Sequence, residues 1–307
     1  MPQIIDYPVA DMTITVESGM VVSDLCAVLA ENNQHLPVDV PNPGETTIGD
    51  AVARDVSGSR RFGYGTFRDY VIGIEAVDGQ DRRFKSGGRV VKNVAGYDLC
   101  KLLIGSHGTL ADITQLTFKV LPRPASSGGV RFHFDDFSDV DAVLERATTS
   151  ATRPRAVDVM SDGEGCDLIF VFDGLSQEVT WQQRQIAEEV DATPKTMTSE
   201  DVEAHLAKAS ALHVPAEARF IAGLNPSKTM RFLQQVGSRN VIGHAGNGIV
   251  VGETGSVHAV RSMAEGLGGW CRENSGSGLS LVDPAGLGKK VKQAFDPSGK
   301  LNSHIKV

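Results

Sequence analysis

The sequence contains no uninterrupted apolar run near the eighteen or so residues that a membrane-crossing helix needs, so no membrane span is expected. No basic run exceeds a pair such as Arg82-Arg83, and 30 Lys and Arg against 38 Asp and Glu leave a formal net charge of -8. That balance excludes the electrostatic footprint of a nucleic-acid partner. The four cysteines, Cys26, Cys100, Cys166 and Cys271, are far apart and form no CxxC pair. They therefore supply neither a zinc knuckle nor an iron–sulfur ligand set, and apolar packing is their expected role. If this chain handles electrons, another molecule must supply the cluster. Nucleotide signatures are missing as well: no GxxxxGK[ST] occurs, and neither the segment starting at Gly63 nor the one from Gly105 to Gly108 fits GxGxxG after a strand. The N-terminal MPQIIDYPVAD lacks the basic-then-apolar pattern of a signal peptide, which makes a cytoplasmic location the expectation.

What the sequence does have is glycine, 33 residues of it, in a chain of 307 residues with a hydrophobic fraction of 41%. That length and composition suit a sizeable core and two domains. Thr13 to Gly19 alternates polar residues with Ile14 and Val16, the pattern of a half-buried strand. Ser23 is placed to cap a following helix carrying Leu25, Val28 and Leu29, ended by Asn32-Asn33. A long loop system follows to Asp69, with room for a short helix at TIGDAV. Val71 to Val77 reads as a strand, and Asp78-Gly79 as the turn of a hairpin into DRRF. Asp98 can cap a short helix presenting Leu99, Leu102 and Leu103, with Gly105 as its left-handed stop and a strand starting near Ala111.

After LPRPAS the texture changes, and Ser126-Ser127-Gly128-Gly129 reads as a boundary. Beyond it, strands are expected at Val130–Phe134, 167–172 and 218–224, with helices near 140–149, 178–190 and 226–236. The fold class is α+β, with one antiparallel sheet and helices on one face. Three segments are expected: 1–124, a cap domain 125–285, and 286–307 returning to the first domain.

A glycine-rich turn bares backbone N–H groups that suit phosphate, flavin or sugar oxygens, but tight corners alone also require glycine. Physical reading alone stops at a close-approach loop set. Three longer stretches go further: PxxGETTIG (Pro41 to Gly49), RDVSGSRRFGYGTFRDYVIG (Arg54 to Gly73) and GGRVVKNVAGYDLCKLLIGSHGTLADITQLTFKVLPRP (Gly87 to Pro124). With the tail FDPSGKLN (Phe295 to Asn302), they resemble the vanillyl-alcohol oxidase (PCMH-type) superfamily of FAD-binding proteins. Within it, they resemble the flavin-binding subunit of bacterial glycolate oxidase.

The resemblance implies a PCMH-type FAD-binding domain, with FAD wrapped by loops at Pro41, Thr47, Gly49, Ser57, Gly58, Gly65, Gly105, Ser106, Gly108, Thr109 and Ile113. Gly96-Tyr97-Asp98 would shape a corner. The implied activity is oxidation of a small 2-hydroxy acid such as glycolate, with electrons passed to an iron–sulfur subunit beside a catalytic flavin subunit. IGHAGNGIV (Ile242 to Val250) resembles the H-A-G-D-G-N-x-H segment of flavin-dependent 2-hydroxy-acid dehydrogenases, making His244 the candidate base for the substrate hydroxyl. Ile249 and Val251 stand where that segment has asparagine and histidine, so no metal site is expected.

The sequence also departs from the superfamily. The βαβ subdomain with a PRGGG-type loop is expected to be missing before Met1, Asp50 replaces a glycine, and Ser303-His304 replaces Pro-Gly. Two further readings therefore stay open: a flavin-less scaffold subunit of a glycolate-oxidase-like complex, and a start codon lying upstream.

Overall fold

A computed structural model describes residues 3–88, 97–147, 149–161, 165–190, 192–237, 240–274, 286–303 and 305. The proposed corner at Gly96 and the His304 substitution lie outside the described residues. The chain divides into two compact units, one of Met1–Ser57, Gly65–Arg123 and Gly278–Val307, the other of Gly58–Tyr64 and Pro124–Ser277.

The first unit opens with β1 (Ile4–Asp6), β2 (Thr13–Glu17), α1 (Val22–Glu31) and the short β3 (Gln34–His35). Alternation buries Ile14 and Val16 completely, and the helical spacing buries Val22, Leu25 and Leu29 beside them. Ser23 does not cap α1. Val21 occupies the N-cap, and loop carbonyls accept the first amides: Val22 N–H donates to Thr46 and Ser23 N–H to Pro43. A neighbouring loop thus does the work that a side-chain cap does elsewhere.

The loop system holds more helix than its prolines and glycines suggest. α2 (Ile48–Arg54) is capped by Thr47, whose hydroxyl accepts from Asp50 N–H. α3 (Arg61–Tyr64) is a single turn within the segment lent to the second unit, and α4 (Phe67–Tyr70) carries a Thr66–Asp69 capping box.

β4 (Val71–Asp78) and β5 (Arg83–Gly87) form the expected hairpin, but its turn is not a two-residue Asp-Gly. Asp78 ends the strand, and its carboxylate accepts from the amides of Gln80 and Arg82. The left-handed residue is Asp81, at φ 62°. Gly79 is required for another reason: a Cβ there would meet the Asp296 carboxylate at 2.3 Å.

α5 (Leu99–Leu103) is capped by Asp98, which accepts from Lys101 N–H, and Gly105 follows at φ 79°. Its buried face is Cys100 and Leu103 rather than Leu99 and Leu102. β6 (Ala111–Lys119) then pairs with β2, setting Phe118 against Ile14 and Leu116 against Val16 in one buried layer. The sheet order is β1-β2-β6-β4-β5, all antiparallel, and β7 (Leu121–Pro122) pairs with β3 outside it. Truncating a fully buried ring such as Phe118 to alanine costs about 3–5 kcal/mol in such a core.

The second unit is an eight-stranded antiparallel sheet. Its elements are β8 (Ser126–Phe134), α6 (Phe137–Ala147), β9 (Ala156–Ser161), β10 (Cys166–Gly174), α7 (Ser176–Glu189), β11 (Pro194–Met197), α8 (Ser199–His213), β12 (Arg219–Gly223), α9 (Thr229–Val236), β13 (Val241–His244), β14 (Ile249–Glu253), α10 (Val257–Gly266) and β15 (Trp270–Glu273). Sheet order is β11-β8-β10-β9-β13-β14-β12-β15. The Ser-Ser-Gly-Gly run expected as a boundary is the start of β8, where each residue pairs with β10. Glycine is needed there because a Cβ on Gly129 would lie 2.6 Å from the Phe170 carbonyl.

The expectation of helices on one face is corrected. Leu168, Phe170 and Phe172 face a core shared with α6, α7, α9 and α10. Ile169 and Val171 face the opposite side, where Val202 of α8 covers them, and Ala209 and Leu212 of α8 pack on Ile242 and Val251. A strand apolar on both faces, as LIFVF is, requires cover on both. Finally, α11 (Leu287–Phe295) belongs to the first unit, where Phe295 packs edge-on against Phe84 at 6.0 Å between ring centres.

Candidate functional site

Two places carry chemistry, one in each unit. In the first unit, a cavity of about 210 Å³ is lined by Ser18, Gly19, Thr47, Gly49, Asp50, Ala53, Gly108, Ala111, Asp112 and Ile113. Thr47, Gly49, Gly108 and Ile113 of the expected cofactor residues thus meet at one cleft. Gly105, Ser106 and Thr109 belong to the same loop, whereas Pro41, Ser57 and Gly65 do not line the cavity and Gly58 falls in the second unit.

The structure also answers why side chains are kept away here. A Cβ on Gly49 would lie 2.7 Å from Ser18 Cβ and 2.9 Å from its carbonyl. Gly108 sits at φ 66°, and a Cβ there would lie 2.7 Å from Asn302 Nδ2. Both glycines are explained by close approach of this chain to itself, which leaves the cleft floor free of side chains. The loop is tied by its neighbours: Gly105 N–H donates to Val52 and His107 N–H to Ala53, both carbonyls of α2.

Lys292 of α11 donates to the Thr109 carbonyl at 2.7 Å and the Leu301 carbonyl at 2.8 Å, and pairs with Asp296 at 2.6 Å. Burial opposes ionisation of Asp296, but Lys292 and the amides of Leu301 and Lys300 outweigh it and lower its pKa to about 2. The carboxylate of Asp50, which would face an anionic ligand, is paired with Arg54 one turn on.

An FAD group fits this cleft in that most of its lining is small, with Ser18, Gly19, Gly49, Ala53, Gly108 and Ala111. The buried Ser106 hydroxyl, on the same loop as Gly108, has no hydrogen-bond partner among the described residues. The volume suits one segment of FAD rather than the whole molecule.

In the second unit, β9 and β13 place Asp158 directly opposite His244. Asp158 is 0% exposed and accepts on both oxygens, from His244 Nδ1 at 2.6 Å and from His205 Nε2 at 2.7 Å. His244 is 2% exposed, and its Nε2 lies 2.9 Å from Nε2 of His213, whose ring stacks on it at 14° and 5.2 Å between centres. Burial resists the Asp158 charge, yet His244 and His205 outweigh it and hold the carboxyl well below the ordinary range. Burial first, and the charge of His244 second, push His213 down to about 3.

Both ring nitrogens of His244 are therefore engaged, and neither is left to take a proton from a hydroxyl in this arrangement. Asp158, His205 and His213 did not stand out in the sequence. The signal within reach was Thr198-Ser-Glu-Asp201, a capping box that announces α8 and with it His205 and His213.

The turn after His244 lines a separate cavity of about 940 Å³ with Phe62, Leu144, Arg155, Phe170, Pro226 and Gly246 among its walls. Among the arginines of the second unit, Arg155 lies over the Tyr64 ring at 4.7 Å. Arg219 is spent on Glu253 and the carbonyls of Ala211 and Val214, and Arg131 stands 3.6 Å from Asp167.

Residues 1–86 match the FAD binding domain family. The chain is 40% identical over 129 residues to glycolate oxidase subunit GlcE of Escherichia coli (strain K12), a match covering 42% of this chain and 37% of that protein. It is 36% identical over 124 residues to glycolate oxidase subunit GlcD of Bacillus subtilis (strain 168), covering 40% of this chain and 26% of that one. A D-lactate dehydrogenase of Archaeoglobus fulgidus matches at 46% over 110 residues, 35% of this chain and 25% of the enzyme. The matched stretches thus span about a quarter to two-fifths of these relatives. Among solved structures, an alkyldihydroxyacetonephosphate synthase superposes with a TM-score of 0.68 at 14% identity, over 97% of this chain and 65% of that one, which shows the shared fold. Residues 1–86 thus match an FAD binding domain, and part of the chain is similar to glycolate oxidase subunits and D-lactate dehydrogenases.

Proposed function

We propose that this chain is the FAD-binding subunit of an oxidoreductase that oxidises a small, glycolate-like 2-hydroxy acid and passes the electrons to an iron–sulfur subunit. The observation that carries the reading is the cleft where Thr47, Gly49, Gly108 and Ile113 meet. Bound FAD supplies the hydride-accepting chemistry that side chains lack. The chain's own part is to bind and orient. Gly49 and Gly108 keep the floor open, the unpartnered Ser106 hydroxyl of the same loop would be free to donate to the cofactor, and Thr109 is held in place through its carbonyl by Lys292. The Gly105, Ser106 and Thr109 loop, with Pro41, Ser57, Gly58 and Gly65, completes the proposed contact set. His244 serves in this reading as a positioning residue that helps keep Asp158 ionised. The subunit names of the relatives support a multi-subunit assembly.

A second reading, a flavin-less scaffold subunit, is favoured by two observations: the cleft is smaller than FAD, and His244 has no free ring nitrogen. Anaerobic addition of glycolate or D-lactate to FAD-loaded protein separates them. Bleaching of the oxidised flavin band supports the oxidoreductase reading; protein that takes up no flavin supports the scaffold.

A further inference from the structure

Arg131 and His133 flank Phe132 in VRFHF, so the alternation that buries Phe132 in the core turns both toward the face that α8 covers. Register sets Asp167 of β10 opposite His133, and Met160 of β9 opposite Asp167. From α8, Asp201, His205 and Lys208 share one side through their spacing of four and three residues. These side chains line a cavity of about 240 Å³ that shares no lining residue with the cleft of the first unit or with the larger cavity beside Arg155. We infer that this cavity binds a small zwitterionic amino acid, its carboxylate against Arg131 and Lys208 and its ammonium against Asp167 and Asp201.

Three observations carry it. First, the charges of the lining balance: Arg131 and Lys208 face Asp167 and Asp201 across one small space. A ligand of a single sign meets two like charges there. A ligand carrying both signs finds a complement for each.

Second, the lining keeps unfilled hydrogen-bonding capacity of both kinds. Arg131 Nε is buried and has no hydrogen-bond partner among the described residues, a permanent donor that lacks an oxygen. Asp167 Oδ1 lies 3.0 Å from His133 Nδ1, but its Oδ2 stands 3.6 Å from Arg131 Nη1, beyond hydrogen-bond reach, and keeps acceptor capacity. Asp201 takes the amide and hydroxyl of Thr198 on a single oxygen, Oδ2.

Third, the His205 side chain is 1% exposed, its Nε2 lies 2.7 Å from Asp158 Oδ2, and its buried Nδ1 has no hydrogen-bond partner among the described residues. A buried ring nitrogen calls for a partner in either of its forms. An amino acid serves both, since its ammonium donates to a lone pair and its carboxylate accepts from an N–H. A carboxylate without the amine serves only the second form.

The test is calorimetric titration of the full chain, without added FAD, with glycine and L-alanine, and with propionate and ethylamine as the two halves of alanine. Alanine is expected to bind at least about tenfold tighter than either half, the scale of leaving a charged partner unmatched. Binding of neither amino acid, or a half that binds as tightly as alanine, overturns the inference. Lys208 is exposed and Asp167 half-buried, so Lys208→Met and Asp167→Asn leave the fold intact; each is expected to weaken alanine about three- to tenfold at unchanged Tm. Unchanged affinity in both variants overturns the placement of the ligand. In protein labelled with nitrogen-15 histidine, alanine is expected to shift the Nδ1 resonance of His205, which a purely structural role of the ring does not produce. A His205 resonance that stays in place at saturating alanine contradicts the site.

Discussion

Asn302 Nδ2 donates a 2.7 Å hydrogen bond to the main-chain carbonyl of His107, so the C-terminal segment holds the Gly105–Thr109 loop almost two hundred residues away in sequence. Lys292 grips the next carbonyl but one, that of Thr109. Two side chains of one segment thereby fix the loop on which the cofactor proposal depends.

Asn302→Ala removes one of these ties, a bond worth about 0.5–1.5 kcal/mol net. FAD affinity is expected to fall about three- to tenfold while the far-UV circular dichroism spectrum stays unchanged. A fluorescence titration with FAD checks this, and unaltered affinity contradicts the role of the tie.

Gly108→Val places a β-branched side chain at φ 66° and against Asn302. The left-handed backbone costs about 1–2 kcal/mol, which a folded core of this size tolerates. Flavin binding is expected to be lost with the fold retained, and gel filtration followed by absorbance reads both. Wild-type FAD affinity in this variant is incompatible with the placement of the cleft.

Asp296 has its folded pKa lowered to about 2, below an unfolded carboxylate near 3.9. The sign follows from linkage: its contribution is present above the unfolded pKa and is lost as pH falls from about 4 towards 2. Asp296→Asn is expected to lower Tm at pH 7 and to flatten the acid unfolding curve in that window. A curve as steep as that of the wild type removes Asp296 from the acid response.

His213 works in the second unit with a depressed pKa of about 3, against an unfolded histidine near 6.5. A folded histidine that resists protonation loses stability as pH falls through the window from about 6.5 to 3. His213→Leu is expected to make urea-denaturation midpoints less dependent on pH there. By contrast, Asp158→Ala leaves the buried rings of His244 and His205 without their shared acceptor and is expected to cost about 1–3 kcal/mol for each group left unmatched.

Much of the first unit was legible because local signals and tertiary packing agree there. Ile14 and Val16 alternate, Asp98 caps α5 and Gly105 turns left-handed as their residue types demand. Ser23 misled because the carbonyls of Pro43 and Thr46, distant in sequence, take its helix's first amides. In the second unit the strand at 166–174 was visible, but α8 was not, since its apolar residues are sparse and its buried face includes His205. The candidate site divides in the same way. Thr47, Gly49, Gly108 and Ile113 carry recognisable local motifs, whereas Asp158 meets His205 and His244 only through sheet register and helix docking, which no short window of sequence encodes.

The most direct test of the central claim is the absorbance spectrum of the purified chain after incubation with excess FAD and gel filtration, with Gly108→Val run in parallel. Flavin bands that travel with the wild-type protein and are absent from the variant are the expected result. A wild-type protein that emerges colourless contradicts the assignment of the cleft to FAD.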